Sequence, residues 1–76
     1  MREYYIQLHE FDLGQVLDGL EMRAVSWEKT AIYHRTGESP HDMVIEECRD
    51  AKEADKIAAH YHSIIAKIRK QREAQS

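Results

Sequence analysis

The chain has 76 residues, a third of them charged, with a net charge of −3 and few glycines or prolines. This composition is typical of one small, helix-rich globular domain and excludes a disordered chain. The single cysteine, Cys48, excludes an internal disulfide, and no run of about 18 apolar residues is present to span a bilayer. Without a signal-peptide pattern we expect a cytoplasmic protein. A domain this short has a thin stability margin, so we also expect a homodimer.

The first segment, "EYYIQLH" at residues 3–9, alternates in a way that predicts a strand. Asp12 suits an N-cap, and a helix is predicted from about residue 13 to 35. Its apolar residues recur at spacings of three and four and form one stripe: Leu13, Val16, Leu17, Leu20, Ala24, Trp27 and Ala31. Val25 and Ile32 lie beside this stripe, and such a widening is expected where a helix makes a second contact, such as one across a dimer.

The segment "HRTGESPHD", residues 34–42, breaks the helical pattern. Gly37 is the expected C-cap, and Pro40 prevents simple continuation. The short run "MVIEE", residues 43–47, is interpreted as a second strand. Asp50 and Glu53 have the spacing of a capping box before a second helix at about residues 51–72. We therefore predict one α+β domain in which two long antiparallel amphipathic helices pack with two strands, in the order β-α-β-α.

The stretch "AAHYHSII", residues 58–65, holds two histidines that resemble a ligand pair. On a helix His60 and His62 lie about 200° apart, so they cannot grip one ion together. Cys48 stands among carboxylates that disfavour its thiolate. No phosphate-binding glycine loop or catalytic triad is present. We predict a protein with no enzymatic activity, no cofactor and no bound metal.

Charge is distributed unevenly, at −6 over residues 1–66 and +3 over residues 67–76. An acidic surface of this kind suits docking onto a basic partner. The predicted partner-binding residues are the acids of the central region and two neighbours of a type common at interfaces: Glu38, Asp42, Glu46, Glu47, Asp50, Glu53, Tyr33 and Arg35. The alternative is a dimeric accessory or regulatory module that contacts nucleic acid through its basic end: Lys67, Arg69, Lys70 and Arg72.

The two halves "DLGQVLDGLEMRAVSWEKTAIYHRTGE" and "EECRDAKEADKIAAHYHSIIAKIRKQ" resemble small proteins of phages and mobile elements. In size, charge and compactness the chain is similar to anti-CRISPR proteins directed at type I systems. That resemblance implies a non-enzymatic inhibitor that binds a CRISPR–Cas effector complex and blocks access of target DNA. The family shares no motif, so the resemblance assigns no residue a role.

Overall fold

The structure, a computed structural model, describes residues 1–38 and 45–75. Within these ranges the chain forms two helices, α1 (Glu10–Thr36) and α2 (Ala51–Gln75). Three side-chain contacts join them along one edge: ion pairs of Glu21 with Arg69 and of Arg35 with Asp55, and a hydrogen bond between Glu28 and His62. From one contact to the next, the α1 residue is seven positions later and the α2 residue is seven positions earlier. The helices therefore form an antiparallel hairpin. Neither of these helices carries an apolar stretch sufficient to cross a membrane.

The predicted α+β fold is wrong, because neither described range contains a strand. Residues 3–9 form no regular secondary structure, and Tyr4, Tyr5 and Ile6 are 74%, 97% and 76% exposed. Of the second predicted strand, residues 43 and 44 lie outside the described ranges. In the remainder, the Glu46 N–H donates to the Thr30 side-chain oxygen at 2.9 Å. This amide therefore bonds to a helix side chain instead of to the backbone of a second strand.

The ends of α1 are fixed by local hydrogen bonds. The predicted N-cap at Asp12 is wrong, because His9 takes that position and its Nδ1 accepts from the Phe11 N–H at 3.2 Å. Asp12 instead lies in the first turn, where its charge complements the helix dipole. The predicted C-cap at Gly37 is confirmed. It has a left-handed φ of 77°, and its N–H donates to the Tyr33 carbonyl at 2.7 Å.

The start of α2 follows the capping chemistry that the sequence indicates. The Asp50 carboxylate accepts from the Glu53 N–H at 2.8 Å, and the Glu53 carboxylate accepts in return from the Arg49 N–H at 3.3 Å. The return bond therefore reaches the residue before the cap. The first bond satisfies an amide that the first helical turn leaves without a partner, and the second satisfies the amide just before the cap.

The core lies between the two helices and is unusually rich in small side chains. Its buried apolar residues are Leu17, Ala24, Trp27, Ala31, Ala54, Ala58 and Ile65. Alanines on both helices let the backbones approach closely, and Trp27 packs among them, with the partly buried Tyr61 against the same cluster. This small core holds the hairpin together and leaves much apolar surface outside it.

Candidate protein-binding surfaces

Six acidic residues surround the end of the hairpin where the chain passes from α1 to α2. We call these residues the acidic end: Glu38, Glu46, Glu47, Asp50, Glu53 and Asp55. Thr30 anchors the segment that carries several of them, because its buried hydroxyl accepts from the Glu46 N–H and donates to the Ser26 carbonyl at 2.8 Å. Asp42, also predicted to bind a partner, lies outside the described residues.

Half of these carboxylates form ion pairs within the chain. Glu46 lies 2.5 Å from Arg23, Glu53 lies 2.9 Å from Arg49, and Asp55 pairs with Arg35. The hydrogen bond that the Arg49 side chain donates, followed by that of its backbone N–H, lowers the pKa of Glu53. Ion pairs at a protein surface contribute little to stability, so a partner's basic groups can exchange for them at little cost.

The acidic end keeps a negative balance after these pairs are counted. Its six acids stand against four basic residues, Arg23, Arg35, Arg49 and Lys52, which gives a net charge of −2. Glu38 and Glu47 are exposed and take part in none of those pairs. They are therefore the two carboxylates of the predicted set best placed to contact a partner.

The two non-acidic residues of the predicted set differ in their surroundings. Arg35 is occupied by its pair with Asp55. Tyr33 is 37% exposed, and its ring lies edge-on to that of His34, with centroids 5.6 Å apart. Tyr33 therefore offers an aromatic surface at the rim of the acidic end.

The structure brings Cys48 and His34 together, a contact that the sequence analysis missed. The Cys48 sulfur lies 3.4 Å from His34 Nε2 and 3.6 Å from the Asp50 carbonyl oxygen. Partial burial, and then the charges of Glu53 and Asp50, raise the pKa of the Cys48 thiol. A thiol held in its neutral form is a poor nucleophile, so this pair has the geometry of a catalytic dyad without its electrostatics. No spacing rule could have found the contact, because the two residues stand on different elements.

The four basic residues near the end of α2 do not share one face. On a helix, residues two apart project about 200° from each other, which separates Lys67 from Arg69 and Lys70 from Arg72. Arg69 is in addition paired with Glu21. The positive charge is therefore spread around the helix, an arrangement less suited to a duplex backbone than a single basic stripe.

A groove of 610 Å³ lies between the N-terminal segment and the helix ends beside it. Apolar side chains from three elements line most of it: Tyr4, Ile6, Leu8, Leu13, Val16 and Ile68. Alternation along residues 3–9 is the sequence signal for this exposed apolar segment, although the same pattern predicts a strand.

The histidines of α2 are exposed on separate sides of the helix. His62 lies 2.5 Å from the Glu28 carboxylate, and His60 takes no part in that contact. In the part of the chain that the structure describes, no three histidine, cysteine or acidic side chains are grouped as metal ligands would be.

Comparisons with known protein families, characterised proteins and solved structures find no match to this chain.

Proposed function

We propose that this protein is a small protein-binding inhibitor that presents its acidic end to a basic, nucleic-acid-binding surface of a larger complex. The partner class implied by the resemblance is a CRISPR–Cas effector complex, and the site of action is then the bacterial cytoplasm. The protein works in this proposal by occupying a surface, without cofactor or catalysis.

One observation carries the proposal. The acidic end is anchored to α1 through Thr30, keeps a net negative charge, and exposes Glu38 and Glu47 outside its own ion pairs. Complementary charge speeds association and selects partners of the opposite sign. Tyr33 adds an aromatic contact at the rim, of a residue type enriched at binding hot spots.

The test reverses Glu38 and Glu47 to lysine. These positions are better than Glu46, because a lysine at 46 would face Arg23 and disturb the fold. The measurement is the amount of target DNA bound by a purified type I effector complex in the presence of increasing inhibitor. We expect Glu38→Lys/Glu47→Lys to need at least about tenfold more protein for the same inhibition.

Glu3→Lys supplies the matched control, since it makes the same change at an exposed position of the N-terminal segment. It should inhibit as the unchanged protein does, and circular dichroism should show all variants equally helical. Full inhibition by the folded double variant would overturn the docking surface. Failure of the unchanged protein to inhibit would overturn the inhibitor assignment itself.

A further inference from the structure

Helix α1 carries a second stripe on the side away from α2. We call it the outer stripe, and its positions follow alternating spacings of four and three: Phe11, Gln15, Asp18, Met22, Val25, Lys29 and Ile32. The apolar stripe predicted from the sequence, which runs from Leu13 to Ala31, faces α2. Each of the first six outer-stripe residues lies two positions before a residue of that stripe, which places it about 200° around the helix. Alternating four and three is the heptad seam by which helices pair as coiled coils.

The hairpin leaves the apolar part of this stripe exposed. Phe11 and Met22 are 69% and 73% exposed, and Val25 and Ile32 are 40% and 41% exposed. On α1, the side chains of Glu21, Glu28 and Arg35 make the polar contacts to α2. Thr30 and Arg23 make the contacts to Glu46. None of these contacts uses an outer-stripe residue.

The charges within the outer stripe fit a second copy in one orientation. When two α1 helices are antiparallel about a two-fold axis between Met22 and Val25, each Met22 faces the other copy's Val25. Asp18 then faces Lys29 of the other copy, twice by symmetry. In a parallel pair, Asp18 would face Asp18 and Lys29 would face Lys29, so the sequence disfavours that orientation.

The same axis lies at the middle of α1, so the two helices overlap along their whole length. Gly19 and Ser26 then face each other beside the seam, where small side chains allow close approach. Gly19 costs about 1 kcal/mol within a helix, and a Cβ added there would meet no other part of the described chain within 4 Å. A close contact with another helix gives this glycine a role that the hairpin alone does not.

The exposed area of one chain is large enough to supply such an interface. The chain has an accessible surface of 6518 Å². A compact monomer of 8.9 kDa is expected to expose about 4,800 Å². The excess of about 1,700 Å², to which the exposed N-terminal segment contributes as well as the outer stripe, exceeds the roughly 800 Å² per partner that a stable interface buries.

We propose that two copies of this protein associate through their outer stripes, with the α1 helices antiparallel and in contact at the centre and one α2 on either side, so that the four helices lie in one layer. The interface uses a face of α1 distinct from the acidic end, so the dimer presents two acidic ends. The association stands independently of what those ends bind.

The first test is the mass of the intact protein by sedimentation equilibrium over a wide range of concentrations. We expect a species of twice 8.9 kDa that dissociates on dilution. Met22→Glu should yield a monomer that remains helical. Tyr5→Glu is the matched control, because Tyr5 is 97% exposed but lies outside the outer stripe, and this variant should remain a dimer.

The second test addresses orientation by exchanging the seam charges. Asp18→Lys and Lys29→Asp should each raise the dimer dissociation constant about tenfold, because like charges then face each other twice. The double variant Asp18→Lys/Lys29→Asp should restore the original affinity. A monomer at every concentration, dissociation by Tyr5→Glu, or no rescue in the double variant would each overturn the proposal.

Discussion

Thr30 provides the sharpest test of how the acidic end is held. Its side chain is completely buried, donates to the Ser26 carbonyl at 2.8 Å, and accepts from the Glu46 N–H at 2.9 Å. Thr30→Val keeps the shape and the β-branching of the side chain but removes the hydroxyl. It therefore creates no cavity and changes helix propensity little. The Glu46 amide alone loses its acceptor.

The expected loss follows from that single amide. A buried donor without a partner costs about 1–3 kcal/mol, and this one is only partly buried, so we expect about 1–2 kcal/mol. For a domain of this size each kcal/mol lowers Tm by about 4–8 °C. Urea unfolding at one fixed protein concentration measures the change, since self-association would make stability concentration-dependent.

The control is Thr36→Val on the same helix. The Thr36 hydroxyl makes the same two kinds of bond, donating to the Ile32 carbonyl and accepting from the Glu38 N–H at 3.2 Å, but both bonds are exposed, so water can replace them. That variant should change stability by less than about 0.5 kcal/mol. Hydrogen exchange should in addition show the Glu46 amide protected in the unchanged protein and exposed in Thr30→Val. Equal losses in the two variants, or an unprotected Glu46 amide, would refute the anchoring role of Thr30.

Two further predictions concern the helix ends. Gly37→Ala should lower the free energy of unfolding, measured by thermal unfolding, by about 1–2 kcal/mol. The reason is the left-handed φ of 77°, which strains any side chain even though no atom would crowd it. Gly37→Asn should cost less, because asparagine tolerates this conformation better. The lowered pKa of Glu53 means that its ionised form stabilises the fold above its unfolded pKa, and this contribution is lost as pH falls through the lower folded value. Glu53→Gln should therefore lose stability at neutral pH and show a shallower acid-side decline, and a decline as steep as that of the unchanged protein would contradict this origin.

Much of the hairpin follows from local patterns. Leu17, Ala24 and Ala31 lie on the stripe that the spacings of three and four indicate, and all three are buried against α2. Gly37 ends α1 because a left-handed residue there closes the last turn. These features depend on neighbours within one or two turns, which periodicity and capping chemistry describe well.

The two predicted strands show where such reasoning fails. Alternation along residues 3–9 is typical of a half-buried strand, but a strand exists only when another strand accepts its hydrogen bonds. The described ranges contain no strand for residues 3–9 to pair with, and the Glu46 amide bonds to the Thr30 side chain instead. The local pattern holds no information about that missing partner.

The sequence by itself therefore determined two amphipathic helices, the side of each that is buried, and the turn at Gly37. Only the tertiary structure decided which acids form ion pairs with arginines, which histidine contacts the Cys48 thiol, and which apolar face remains exposed. Glu46 and Glu47 are neighbours in the chain, yet Arg23 pairs with the first and leaves the second exposed. The reason is physical: caps and stripes arise from contacts a few residues apart, whereas ion pairs and exposed faces depend on how one helix lies against the other.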